Sequence, residues 1–269
     1  MWKSIGLAAA SALLVFGCTQ SPTGRSQFKL FSSDEMATLG NQSYAQIKDK
    51  EKVSSDQALI GYVQCITDDL VAVLPQPWRD LKWEVTVFDN EAVNAFALPG
   101  ENIGVYTGLI DVAETPAQLA AVIGHEIGHV IAEHGNERMT SEVAAGLGLS
   151  LGAAWVGKEL EGDTAAIVMA SLGVGTQLLY ILPYSRTHES ESDQLGMDYM
   201  AAAGYDPAGA AQLWRNMAAQ AGANPPEFLS THPSPQTRID ALEAYRSEVQ
   251  ATYQRAISEG GRPNCVKPT

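Results

Sequence analysis

Apolar residues recur at helical spacing in two early stretches, residues 33 to 49 and 54 to 74. In the second, Leu59, Tyr62, Val63, Ile66 and Leu70 share one face. Pro75 and Pro77 end that run, because proline lacks the N–H and its ring clashes with the preceding turn. From Trp83 to Phe88 the period changes: β-branched and aromatic residues alternate roughly with polar ones, which predicts a strand. Residues 94 to 98 and 103 to 107 flank Pro99-Gly100-Glu101-Asn102 and predict a β-hairpin with a four-residue turn. From about residue 115 the pattern reads as helical. A few strands followed by many helices predict a mostly helical α+β fold.

Two regions leave alternatives. Ala144 to Gly157 is apolar but short, and Thr164 to Tyr184 runs 21 residues without a charge, near the length a bilayer requires. Two buried helices are the expectation, since Gln177 and several Ser and Thr interrupt the second run, and a membrane-dipping hairpin is the alternative. At the start, Lys3 precedes an apolar run from Ile5 to Phe16 that ends at Gly17-Cys18, the layout of a secretory signal. Val15-Phe16-Gly17-Cys18 resembles the lipobox of bacterial lipoproteins. That resemblance implies removal of residues 1–17, acylation of Cys18 and a lipid-anchored, polar, irregular tether over residues 18–31. A single domain over 32–269 follows. Thr19 after the cysteine implies sorting to the outer membrane, on the periplasmic side of the bacterial envelope. An ordinary cleaved signal or an uncleaved anchor is the alternative.

Composition narrows the function classes. With 269 residues, 45% of them hydrophobic, the chain can fill one core. Its formal net charge of -14 argues against nucleic acid, whose phosphates need a basic surface, and against electrostatic docking on anionic lipid. Export would place Cys65 and Cys265 in an oxidising compartment, where a disulfide tying the C-terminal tail to the second helix is the favoured reading. Two unrelated thiols are the other.

The chemistry concentrates in His125-Glu126-Ile127-Gly128-His129. Residues four apart share a helix face, so both imidazoles can reach one metal ion, and Glu126 beside them can reach a metal-bound water without ligating. Gln118 to Ile123 is a largely apolar lead-in that would bury this helix, where unpartnered polar side chains are costly. Glu189 is the candidate third ligand. Asp193 lies one turn on, on the same face, where a carboxylate can hold a ligand histidine in place. Glu191 should point away as a surface charge, and a solvated acidic helix start is the plainer reading of the whole segment. His134, five residues past His129 and well round a continuous helix, is read as structural, and His188 likewise.

The pentapeptide, together with Ser185-Arg186, Glu189, Glu191, Asp193 and Gly196, resembles the gluzincin metallopeptidases of the HtpX, CAAX prenyl protease and Oma type. Within these the chain looks most similar to the lipoprotein proteases of the LoiP kind, and to BepA without its repeat domain. Asn94-Ala95-Phe96-Ala97-Leu98-Pro99-Gly100, Gly204-Tyr205-Asp206-Pro207 and Ser230-Thr231-His232-Pro233-Ser234 with Arg238 fit the same family, in its order. The resemblance implies a zincin-type domain with a small sheet beside the active-site helix. It implies one Zn2+ held by His125, His129 and Glu189, with Glu126 as base and Asp193 behind the ligands. His232 would stabilise the tetrahedral intermediate or latch the open position. Arg238 would touch substrate or oxyanion, or be a charge at a helix start. The strand Asn94 to Leu98 could offer its edge to an extended substrate. The implied role is a zinc endopeptidase for unfolded or misassembled envelope proteins, with envelope assembly machinery or a related protease as possible partners. A zinc-stabilised chaperone or assembly factor with latent peptidase activity is the alternative.

Overall fold

The computed structural model describes residues 18–155, 184–220, 227–232, 235–261 and 263–268. The expected signal segment and most of the ambiguous apolar stretch lie outside them. Among the described residues no helix is long and apolar enough to cross a membrane.

Local sequence rules set the element ends. Helix α1 (Ser33–Lys50) opens with a reciprocal cap between Ser32 and Glu35, and α2 (Gln57–Ala72) with Asp56 accepting from the amides of Ala58 and Leu59. The strands β3 (Glu84–Phe88), β4 (Ala95–Leu98) and β5 (Asn102–Tyr106) follow. After the short α3 (Thr107–Val112), Thr115 caps α4 (Pro116–Ile131), whose first position is proline. The remaining described helices are α5 (His134–Trp155), α6 (Arg186–Ala202), α7 (Ala208–Gln220), α8 (Glu227–Thr231) and α9 (Pro235–Ser258).

The predicted hairpin is present, with Leu98 opposite Asn102 in an antiparallel β4–β5 pair. The sheet order is β3-β5-β4, so β3 pairs parallel to β5 and β4 lies at an edge. Two-residue alternation gives the sheet two faces. Val87, Ala95, Ala97, Ile103 and Val105 belong to the main core. Phe88, Phe96, Leu98 and Tyr106 form a second cluster with Met36 and Tyr44 of α1. Gly104 is required on that face: a Cβ there would fall 2.3 Å from the Phe96 ring.

Helices α4 and α6 approach at backbone distance. A Cβ on Gly196 would lie 2.7 Å from the His125 nitrogen, and one on Gly124 3.1 Å from the Gly196 carbonyl oxygen. The Ser192 hydroxyl, between them, donates to the His125 carbonyl at 2.9 Å. This contact sets Glu189 against the His125–His129 face. The C-terminal tail is tied to α2 by a disulfide between Cys65 and Cys265.

The expected irregular tether is corrected. Residues 18 to 31 form a hairpin, β1 (Cys18–Gln20) against β2 (Ser26–Phe28), which lies on the domain. Gln27, buried, donates to the Ala132 carbonyl at 2.6 Å, and the Leu30 amide donates to Thr140 Oγ1. Alternating polar residues read as loop because their partners lie more than a hundred residues away.

Candidate metal centre

His125 and His129 extend from one face of α4, both buried, with their Nε2 atoms 3.0 Å apart. Glu189, in the first turn of α6 after the Ser185 cap, brings its carboxylate to 3.6 Å from His125 Nε2 and 3.4 Å from His129 Nε2. His232 follows α8 and places Nδ1 3.0 Å from Glu189 Oε1 and 3.2 Å from His125 Nε2. Ligand atoms of these four residues all lie within 4.8 Å of one another. The three sequence-predicted ligands therefore converge, and His232 joins them.

Glu126 stands beside this cluster. Its Oε2 accepts from the Ala97 amide at 3.2 Å, while Oε1 is buried without a hydrogen bond among the described residues, 3.4 Å from His232 Nε2. Burial raises its carboxyl above the ordinary range. Burial likewise holds His129 well below the usual imidazole value, which keeps it neutral. For Glu189, burial works upward, but His232 and Arg238 prevail and hold it well below the carboxylate range.

Behind the ligands, Asp193 Oδ1 lies 3.0 Å from His125 Nδ1. Arg238 differs from expectation. It is buried, and its guanidinium bonds Glu189 and both oxygens of Asp193, with the Trp214 ring 3.8 Å away. It lies at the start of α9, as one alternative had it, but buried against two carboxylates rather than at the surface. Glu191 is also corrected: it is buried rather than exposed, accepting from Thr23 at 2.6 Å and Arg25 at 2.9 Å, and it lies 3.1 Å from His134 Nε2. The expectation of a solvated acidic helix start fails at Glu191. What overrides it is Arg25, distant in sequence.

His134 is the residue whose position sequence reasoning missed. A continuous helix would turn it away from His129. Instead α4 ends at Ile131, Glu133 adopts φ 52°, and α5 starts at His134, whose Nδ1 returns to 2.8 Å from His129 Nδ1. The signal available was the Ala132-Glu133 pair between two periodic runs. It is weak, because neither residue marks a helix end. His188 stacks on His134 and lies 3.2 Å from Glu137.

The donor set suits zinc. Two imidazoles and a carboxylate are its ordinary ligands, and bonds of ~2.0–2.1 Å in a tetrahedron place donors about 3.3 Å apart. The distances above bracket that spacing. The lone Glu126 Oε1 lies where a water could be held. The family comparison agrees: residues 58–246 match the profile described as Peptidase family M48. The chain belongs to peptidase family M48. Among similar proteins, the "Mitochondrial metalloendopeptidase OMA1" of Arabidopsis thaliana is 30% identical, covering 93% of this chain and 50% of its own length. Its namesake in Schizosaccharomyces pombe is 30% identical over 85% of this chain and 66% of its own. The "Beta-barrel assembly-enhancing protease" of Escherichia coli is 25% identical over 80% and 45%. The chain thus spans half to two thirds of the length of the first two. In this M48 chain His125, His129, Glu189 and His232 form the cluster that could hold a metal ion.

The expected place on the periplasmic side of a bacterial envelope, at the outer membrane, is overturned by these relatives. Those at 30% identity are mitochondrial proteins, and the bacterial assembly-enhancing proteases match at lower identity.

Proposed function

We propose that the protein is a zinc-dependent endopeptidase that cleaves extended segments of unfolded or misassembled polypeptide. The observation that carries this reading is the meeting of three elements at one point: the ligand cluster, the Glu126 Oε1 that makes no hydrogen bond among the described residues, and the β4 edge. A narrow cleft lies between Ala95–Ala97 on one side and Glu126, Thr231 and His232 on the other. A strand laid along the β4 edge beside it would pair by backbone hydrogen bonds, which read extended chain with little sequence preference.

Zinc held by His125, His129 and Glu189 would supply a Lewis acid for the scissile carbonyl and acidify a water. Glu126 Oε1 takes the proton of the attacking water and passes it to the leaving amine. Asp193 fixes the His125 ring, and Arg238 holds Glu189 and Asp193 in register. His232 Nδ1, 3.0 Å from Glu189 Oε1 and 3.2 Å from His125 Nε2, supports the latch role, in which it withdraws for substrate to enter.

The test is cleavage of unfolded casein by the full chain loaded with zinc. Glu126→Gln should lower the rate by roughly 10²–10⁴-fold with metal content unchanged. Equal rates in the variant would sink the reading. His232→Ala should raise casein cleavage at equal zinc content; a fall instead would make His232 a donor to the intermediate. The latch also favours a second reading, an assembly factor with latent peptidase activity, supported by the name of the Escherichia coli relative. Assembly function that survives Glu126→Gln would select it.

A further inference from the structure

Asp193 lies at His125 Nδ1, whereas among the described residues no carboxylate lies at His129 Nδ1. Its Nδ1 meets His134 Nδ1 at 2.8 Å, and His134 Nε2 lies 3.1 Å from Glu191 Oε2. We infer that Arg25, Glu191 and His134 form a positioning relay that fixes the tautomer and orientation of His129, making the N-terminal hairpin part of the metal centre. This rests on the reading that His129 holds metal.

Donor and acceptor matching that starts from Glu191 gives one assignment, with the Glu189 carboxylate, 3.4 Å from His129 Nε2, the group that competes with it. A carboxylate only accepts, and Glu191 already accepts from Thr23 Oγ1 and Arg25 Nε, so His134 Nε2 donates to it. His134 Nδ1 is then a lone pair and must accept from His129 Nδ1–H. That leaves the lone pair of His129 on Nε2, the atom 3.4 Å from Glu189 and 3.0 Å from His125 Nε2. Reversing any donor in the series would put a proton on Nε2, where metal must bind.

The hairpin holds the relay in place. Arg25 spans Glu191 and Glu137, donating Nε to the first at 2.9 Å and Nη1 to the second at 2.9 Å. Gln27 donates to the Ala132 carbonyl, the end of α4, and to Glu137 at 2.9 Å. Those contacts pin the break between α4 and α5 that turns His134 back toward His129. The Tyr184 ring, stacked on His129 at 3.8 Å, blocks the ring from swinging out.

The experiment is 15N-imidazole NMR of the zinc-free full chain, paired with zinc affinity by chelator competition. In the unaltered chain His129 should show the Nδ1–H tautomer. Glu191→Gln keeps the shape of the carboxylate but can donate from its amide, so it should shift His129 toward Nε2–H. It should also weaken zinc binding about 10- to 100-fold. Arg25→Ala, which touches neither metal nor ligand, should weaken zinc binding in the same direction, and Arg25→Lys should recover part of the loss. A purely structural hairpin would leave the tautomer unmoved. Finding His129 as Nε2–H in the unaltered chain overturns the relay, and so does zinc affinity within twofold of it in both Glu191→Gln and Arg25→Ala. The tautomer measurement needs neither zinc nor proteolysis, so it fails separately from the endopeptidase reading, and it stands if a variant misfolds.

Discussion

Arg238 shows what a single residue does here. It is a buried cation between two buried carboxylates, Glu189 and Asp193, and burial of each charge is tolerated only because the others are present. Replacing it with Leu leaves two uncompensated anions beside the ligands. The expected cost is about 3–5 kcal/mol in urea unfolding of the zinc-free chain. A loss below ~1 kcal/mol would show that the carboxylates had rearranged or taken up protons. The ligand pair was legible because one helical turn places His125 and His129 side by side whatever the rest of the chain does. Arg238 was not, since its partners sit 45 and 49 residues away and no local period links them.

At the scale of elements, the centre depends on how closely α4 and α6 can lie. Gly196 faces the backbone of Gly124 and His125, and any side chain there must push the helices apart. Gly196→Ala should therefore destabilise the fold by about 1–3 kcal/mol, the usual cost of overpacking. It should also weaken zinc retention, because Glu189 moves with α6; the check is thermal unfolding beside chelator competition. An alanine variant as stable and metal-tight as the parent would mean that the helices have slack. Helices α1, α2 and α4 and the β4–β5 hairpin were readable from period, caps and turn residues. The break after Ile131 was not. Glu133 reaches positive φ without the glycine that normally announces it, so a continuous helix looked equally good.

Over the whole molecule, the first described hairpin and the C-terminal tail fasten onto the same domain. The N-terminal hairpin docks through Arg25 and Gln27, and the C-terminal tail is joined to α2 by the Cys65–Cys265 disulfide across a sequence separation of 200. Such a crosslink restricts the unfolded chain over a long loop. Replacing both cysteines with Ala should lower stability by about 2–5 kcal/mol in guanidinium unfolding. Casein cleavage in the native range should persist, because the two sulfurs belong to a group separate from the ligand cluster. Loss of cleavage at full folding would instead assign the tail a part in the site.

What the sequence determined alone was whatever follows from local geometry: element type, the two imidazoles a turn apart, the glutamate beside them, and the family to which these belong. The tertiary structure decided what depends on partners far along the chain. It buried Glu191 against Arg25, turned Arg238 inward to the carboxylates, returned His134 to His129 and set His232 among the ligands. A charge or an imidazole carries no mark of its partner in its own neighbourhood. Its burial, and therefore its role, is settled only when the helices that bear it meet.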